Sequence, residues 1–215
     1  MATVIRSILL VAMLLSALIA QGPVDTNSIL RRVEKRYNET KTMQANFTQT
    51  LKEKGRTHIP KRGVVYLNKK NHQARWDYTE PAGDFFLSSD KYAWDYDKDK
   101  KVVERIPMKE TDDLRIPLAF LLGTIDFDKD FQKFEQTSDR EIAVIKAHPK
   151  SDKLLFKDLT MWIAPDASIR QVTVLGQDGS TMLYVLEKEQ RNLPLSDALF
   201  RFTLPQGAQL VDVRQ

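Results

Sequence analysis

Apolar and polar residues alternate with period two through most of the chain. Met43, Ala45, Phe47, Gln49 and Leu51 fall on one side of an extended run, and Gln44, Asn46, Thr48 and Thr50 on the other. Such alternation predicts strands with one buried and one wet face. The densest stretch runs from Gly63 to Tyr96. Gly63–Leu67 reads as a strand. Ala74, Trp76 and Tyr78 then point one way, and Gln73, Arg75, Asp77 and Thr79 the other. A third run through Phe85, Phe86 and Leu87 turns at Ser88-Ser89-Asp90 into Tyr92, Trp94 and Tyr96. Two of the three tryptophans, Trp76 and Trp94, are expected on like faces of neighbouring strands. Further strands are predicted over 100–106, 132–136, 141–147, 156–163, 169–176, 181–189, 199–204 and 210–213. Lys54-Gly55 and the Gln-Asp-Gly-Ser at Gly179 supply hairpin turns. Nothing suggests βαβ units or a parallel sheet.

The period changes twice. Asp25, Thr26 and Asn27 offer caps for a helix reaching Tyr37, with Ile29, Leu30, Val33 and Tyr37 in one stripe. Arg31, Arg32, Glu34, Lys35 and Arg36 lie mostly elsewhere, so this helix rests on something rather than inside it. From Asp113 to Ile125, Leu114, Leu118, Leu121, Leu122 and Ile125 recur at spacings of three and four, with Gly123 as a stop. Pro117 shortens or loosens the start of that helix. Residues 116–122 are apolar on every side, which predicts a buried helix or one that covers an apolar cavity. Residues 194–198 make a brief turn or helical turn. The expected fold is mainly β (α+β), with about eleven antiparallel strands and two or three helices. Period alone leaves open whether the aromatic face packs a core or lines a pocket.

Composition narrows the setting. The 215 residues, 42% hydrophobic and 29% charged, suit a single domain with one core, expected over 23–215. Residues 1–20 are different: Arg6, an apolar run from Ile8 to Ile19, then Ala20-Gln21-Gly22. That is the pattern of a secretory signal peptide cleaved near 20–22, which implies an exported, periplasmic protein. No later stretch is long and apolar enough to span a bilayer. The chain has no cysteine, which excludes a disulfide scaffold, a zinc–thiolate site, a thiol nucleophile and a lipid anchor on an N-terminal cysteine. The net charge is +4, one unit of it from Arg6, too little for a nucleic-acid footprint. Lys52/Lys54/Arg56, Lys61/Arg62 and Lys69/Lys70 read as solvated hairpin tips.

Little catalytic chemistry is visible. His58, His72 and His148 lack metal-ligand spacing. Two Asp-x-Asp-x-Asp runs, at Asp95 and Asp126, imitate the start of a calcium loop. Lys100 and Phe131 stand where glycine is needed, and Ile106 and Thr137 where glutamate is needed, so these are turn or cap acids. There is no nucleophile elbow and no phosphate-binding glycine loop. No catalytic residue, metal or cofactor is expected. A secreted hydrolase with dispersed carboxylates is the weaker alternative.

Several motifs in register resemble the LolA-type periplasmic lipoprotein carriers. They are Phe47-Thr48-Gln49 on the first strand, Gly63 opening the next, and Arg75-Trp76-x-Tyr78-x-x-Pro81. Ser89-Asp90 with Trp94-x-Tyr96, Pro117-Leu118-x-x-Leu121-Leu122-Gly123, and the ending Phe200 to Asp212 complete the set. The chain departs from the pattern in three places. The glycine of an S-D-G turn is missing, Ala74 stands where an aromatic usually precedes R-W, and Lys69-Lys70 occupy the region of a lid-latching arginine. The resemblance implies an incomplete antiparallel β-barrel with a helical lid over an apolar cavity. It implies acylated lipoproteins as cargo, an inner-membrane release complex, an outer-membrane acceptor and a monomeric carrier that moves cargo between them. A related lipid-binding or envelope-sensing protein is the alternative within that fold. The candidate acyl-binding wall is Phe47, Val65 and Leu67, then Trp76, Tyr78, Phe86 and Trp94, then Leu159, Met161, Ile163, Val172 and Val174. The candidate lid is Ile29, Val33, Leu118, Leu121 and Leu122.

Overall fold

The structure, a computed structural model, describes residues 25–89, 91–108, 125–151 and 156–213. The first element is helix α1 (Thr26–Asn38). The Asp25 side chain caps it by accepting from the Ser28 amide, and Lys35 and Arg36 complement the dipole in its last turn. Ile29, Leu30, Val33 and Tyr37 are the residues it buries, as the sequence stripe predicts.

The strands follow as β1 (Thr42–Glu53), β2 (Arg56–Thr57), β3 (Lys61–Asn68), β4 (Gln73–Glu80), β5 (Ala82–Ser88), β6 (Tyr92–Asp97) and β7 (Val102–Pro107). A single-turn helix α2 (Phe127–Asp130) leads into β8 (Phe131–Asp139), β9 (Ile142–Pro149), β10 (Phe156–Ile163), β11 (Ile169–Gly176), β12 (Thr181–Arg191) and β13 (Gln209–Asp212). They form one open 13-stranded sheet in the order β13-β7-β6-β5-β4-β3-β1-β12-β11-β10-β9-β8, with β2 paired to β1. The β1–β12 ladder, with Phe47 opposite Leu186 and Gln49 opposite Tyr184, closes the chain's two halves into one sheet.

The hairpins have the expected chemistry. Lys54 and Gly55 both have positive φ between β1 and β2, which the tight turn demands. Asp126 caps α2 by accepting from the Lys129 amide, and Asp97 accepts from the Lys100 amide, so these acids serve turns and caps. Gly63 is required for a different reason. A Cβ there would lie 2.0 Å from the Asp77 carbonyl oxygen and 3.0 Å from the Phe47 ring. The β3–β4 ladder shifts register beside it, between Arg62 and Gly63.

Three expectations change. The sheet has 13 strands rather than about eleven. Residues 199–204 are not a strand: a 3-10 turn, Asp197–Phe200, is followed by irregular chain. Its apolar residues pack flat on the outer face of the sheet instead of joining a ladder. Having crossed that face, the chain reaches the β7 edge running with it, so β13 pairs parallel to β7, where the sequence predicts only antiparallel pairing. Of the expected helix over 113–125, Ile125 alone is described, and it is buried; the remainder lies outside the described residues.

The sheet separates two apolar clusters. The inner one joins α1, the inward residues of β1, β3 to β6 and β9 to β12, and Ile125, Phe127 and Phe131. The outer one is Phe85, Leu87, Tyr96, Val103 and Phe200, with Trp94, Leu199 and Phe202 packed against it.

Candidate functional site

The inward side chains of the long strands make one continuous apolar face. Phe47, Val65, Leu67, Trp76, Tyr78 and Phe86 belong to it, as do Leu159, Met161, Ile163, Val172 and Val174. All are 5% exposed or less. Ladder register makes them adjacent: Val65 is opposite Trp76, Trp76 opposite Phe86, Leu159 opposite Val174 and Met161 opposite Val172. Aromatic edges fill the space, with Phe47 edge-on to Tyr78 at 5.4 Å and Trp76 to Phe86 at 5.5 Å. The same face includes Tyr184 and Leu186 of β12 and Ala93 of β6. Sequence reasoning misses these three as site residues, although alternation through Met182, Tyr184 and Leu186 signals the first two.

Trp94 is not part of this face. It pairs with Leu87 and Arg105 and stacks on Phe202 at 4.9 Å, with ring planes 9° apart, on the opposite side of the sheet. The expectation that Trp76 and Trp94 share a face is therefore corrected. Trp76 and Phe86 point inward, so Leu87, one residue on, points outward with its partner Trp94. Arg75 reinforces the outer cluster. It pairs with Asp77 at 2.7 Å, lies over the Phe85 ring at 5.0 Å and donates to the Leu199 carbonyl at 3.1 Å.

Helix α1 covers the inner face. Of the expected lid residues, Ile29 and Val33 lie on its buried stripe; Leu118, Leu121 and Leu122 lie outside the described residues. The helix is also tied by polar bonds around its rim. The Tyr37 hydroxyl donates to Glu189 Oε2 at 2.7 Å and accepts from the Ile169 amide at 2.9 Å. The Arg36 guanidinium holds Glu189 Oε1 at 2.7 Å. Asn38 exchanges two bonds with the Ile125 backbone, and Glu34 accepts from the Phe127 amide. Burial, reinforced by the Glu189 charge, pushes the Tyr37 hydroxyl far above the ordinary tyrosine range. Burial opposes the Arg36 charge, but the bond to Glu189 and its negative charge outweigh this and raise Arg36.

Lys69 adds a tie from the sheet. From the turn just after β3 its ammonium donates to the Tyr37 carbonyl at 2.9 Å, in the last turn of α1. Partial burial lowers its pKa. Lys70, beside it, is exposed. Beneath the N-terminal half of α1 is a half-open groove of about 1200 Å³ between the β8–β9 hairpin and the β10–β11 turn. Ile29 and Ile163 line it and also belong to the inner cluster, so the groove reaches the apolar face.

Histidines that look solitary in sequence have carboxylate neighbours. His58 meets Glu53 at 3.0 Å, and His148 Nδ1 meets Asp158 at 2.6 Å across neighbouring strands. Among the described residues no group of three His, Asp or Glu side chains is arranged to hold a metal ion.

Residues 38–203 match the family described as outer membrane lipoprotein carrier protein LolA. An outer-membrane lipoprotein carrier protein of Nitrosomonas europaea is 24% identical over 94% of this chain and 98% of its own length. One from Histophilus somni is 27% identical over 86% of this chain and 88% of its own. Among solved structures, a conserved protein of Thermus thermophilus shares the fold at 16% identity and a TM-score of 0.53, covering 87% of this chain and 98% of that one. A DUF1329 family protein of Desulfovibrio piger shares it at 12% identity and a TM-score of 0.50, over 81% and 96%. With a family match across most of its length, and relatives that it covers almost from end to end, the chain belongs to the LolA family.

Proposed function

We propose that the chain is a periplasmic carrier that shelters the acyl chains of lipoproteins against its inner face and moves them from the inner to the outer membrane. The observation that carries this reading is the continuous apolar face from β9 to β5, covered by an amphipathic helix. In the described state the wall is covered, so loading requires α1 to part from the sheet. That exchange replaces the contacts of Ile29, Leu30 and Val33 with acyl methylenes, apolar surface for apolar surface, and so costs little hydrophobic free energy. What remains is the rim of hydrogen bonds, which water can replace. The gain is large: each acyl methylene removed from water is worth about 0.8 kcal/mol. Binding of this kind needs no reacting group.

In this reading residues 1–20 are a signal peptide removed near 20–22, and residues 23–215 form one carrier domain that works as a monomer. An inner-membrane release complex supplies cargo and an outer-membrane acceptor takes it. Direction follows from increasing affinity along that path. Lys69, rather than Lys70, fills the place of the family's latching arginine by holding the end of α1. The wall residues named above, without Trp94, are the acyl-binding surface.

The test is to recover the exported protein from the periplasm under native conditions and identify what accompanies it by mass spectrometry. Acylated lipoproteins are expected, on a chain whose first residue lies near 21–23. A folded protein that carries none, and captures none when they are supplied, contradicts the carrier reading; an N-terminus at Met1 contradicts the processing.

A further inference from the structure

We propose that the indole N–H of Trp76 is a hydrogen-bond donor for an acyl carbonyl of the cargo, an assignment that rests on the carrier reading. Trp76, on β4 in the inner face, is 1% exposed, and its Nε1 has no hydrogen-bond partner among the described residues. The side chains of its cross-strand neighbours, Val65 and Phe86, offer no oxygen. Two other tyrosine tips in the inner cluster are engaged: the Tyr78 hydroxyl donates to Gln49 at 3.2 Å and the Tyr37 hydroxyl to Glu189 at 2.7 Å.

A buried donor without a partner is costly, and phenylalanine would fill a purely structural position without that cost. A bridging water needs several polar partners, and the apolar side chains across the ladder supply none. The complement of a lone donor in an apolar wall is a group that only accepts, attached to hydrocarbon. The carbonyl oxygen that joins an acyl chain to its glycerol or amine has that character. The N–H, without a partner among the described residues, would gain one in the loaded protein. It would therefore favour acyl cargo over other apolar ligands and fix how deep the linkage sits.

The experiment compares synthetic lipopeptides of one sequence: a diacylglyceryl ester form, its dialkyl ether analogue, and N-acyl and N-alkyl forms. Affinities are measured for the wild-type chain and for W76F. The wild type should bind a carbonyl-bearing probe about two- to tenfold more tightly than its carbonyl-free partner, the span of a neutral hydrogen bond. W76F should lose that preference while retaining the carbonyl-free probes. An advantage confined to the ester pair or to the amide pair identifies the accepting carbonyl. In the wild type the Trp76 indole N–H resonance should move downfield with the carbonyl probe and less with its partner, a readout that does not depend on W76F folding. Equal affinities for both members of each pair, or a preference that survives in W76F, overturn the donor assignment and leave the carrier reading standing. Failure of every probe to bind the folded wild type overturns the carrier reading itself.

Discussion

Gly63 shows how one residue sets the shape of the wall. With an added Cβ 2.0 Å from a backbone oxygen, Gly63→Ala forces β3 away from β4 beside Phe47 and Tyr78. The expected cost is about 1–3 kcal/mol, as for other overpacked sites, read as a lower urea midpoint with unchanged slope. Lys69→Met removes the bond to the Tyr37 carbonyl while keeping much of the side chain's bulk. It should leave the stability read from urea unfolding within about 1 kcal/mol and speed the exchange of a bound acyl probe, because the end of α1 is freed. Lys69→Arg, which retains a donor, should restore slow exchange; unchanged exchange in Lys69→Met would remove the latch role. At this scale sequence reading succeeds where alternation is unbroken. Phe47, Val65 and Val172 are legible as inner-face residues because burial alternates with period two around each of them. It fails at Trp94, because the relation between faces of two strands depends on ladder register through the Ser88-Ser89 turn, and residue type does not encode that register.

Helix α1 is held by an apolar stripe that sequence reveals and by a polar rim that it does not. Glu189 sits 152 positions from Tyr37, and only the β1–β12 pairing brings them together. The rim has a measurable signature. Folded Tyr37 keeps its proton at pH values where the unfolded chain's tyrosines release theirs, so the folded state binds more protons and stability falls as pH rises. The contribution is intact below pH 10.0, the unperturbed value, and is lost progressively above it. Tyr37→Phe should flatten this alkaline loss, leaving the smaller share of Tyr66, whose pKa burial also raises. At neutral pH it should cost about 1–3 kcal/mol, because Glu189 and the Ile169 amide each lose a partner. Urea titrations at pH 7 and across the tyrosine range check both parts; an undiminished alkaline slope in the variant would contradict the assignment. The expected strand over 199–204 fails for a related reason. Leu199, Phe200 and Phe202 have the apolar content of a strand, but their partners are side chains on the outer face, and the nearest ladder edge is reached only at β13.

For the whole molecule, sequence makes the class of fold legible: period-two runs, an amphipathic helix and motifs in register. The two-sided use of the sheet is not legible. One face is apolar beneath α1, while the other is sealed by the C-terminal segment through the Trp94–Phe202 stack and the Arg75 contacts. On the proposed carrier reading, the outer cluster holds the sheet's curvature while the inner face would exchange α1 for cargo. Disrupting the seal should therefore affect folding more than binding. Trp94→Ala is expected to lower stability by about 2–4 kcal/mol, with acyl affinity retained in the fraction that folds, whereas a charged residue at Val172 should reduce affinity. The most direct test of the central claim is calorimetric titration of the folded protein with a diacylated lipopeptide and with the same peptide lacking its acyl chains. Saturable binding of the acylated form, with a negative heat-capacity change and no binding of the bare peptide, is the predicted result. Equal binding of the two, or no binding of either by a folded sample, would contradict it.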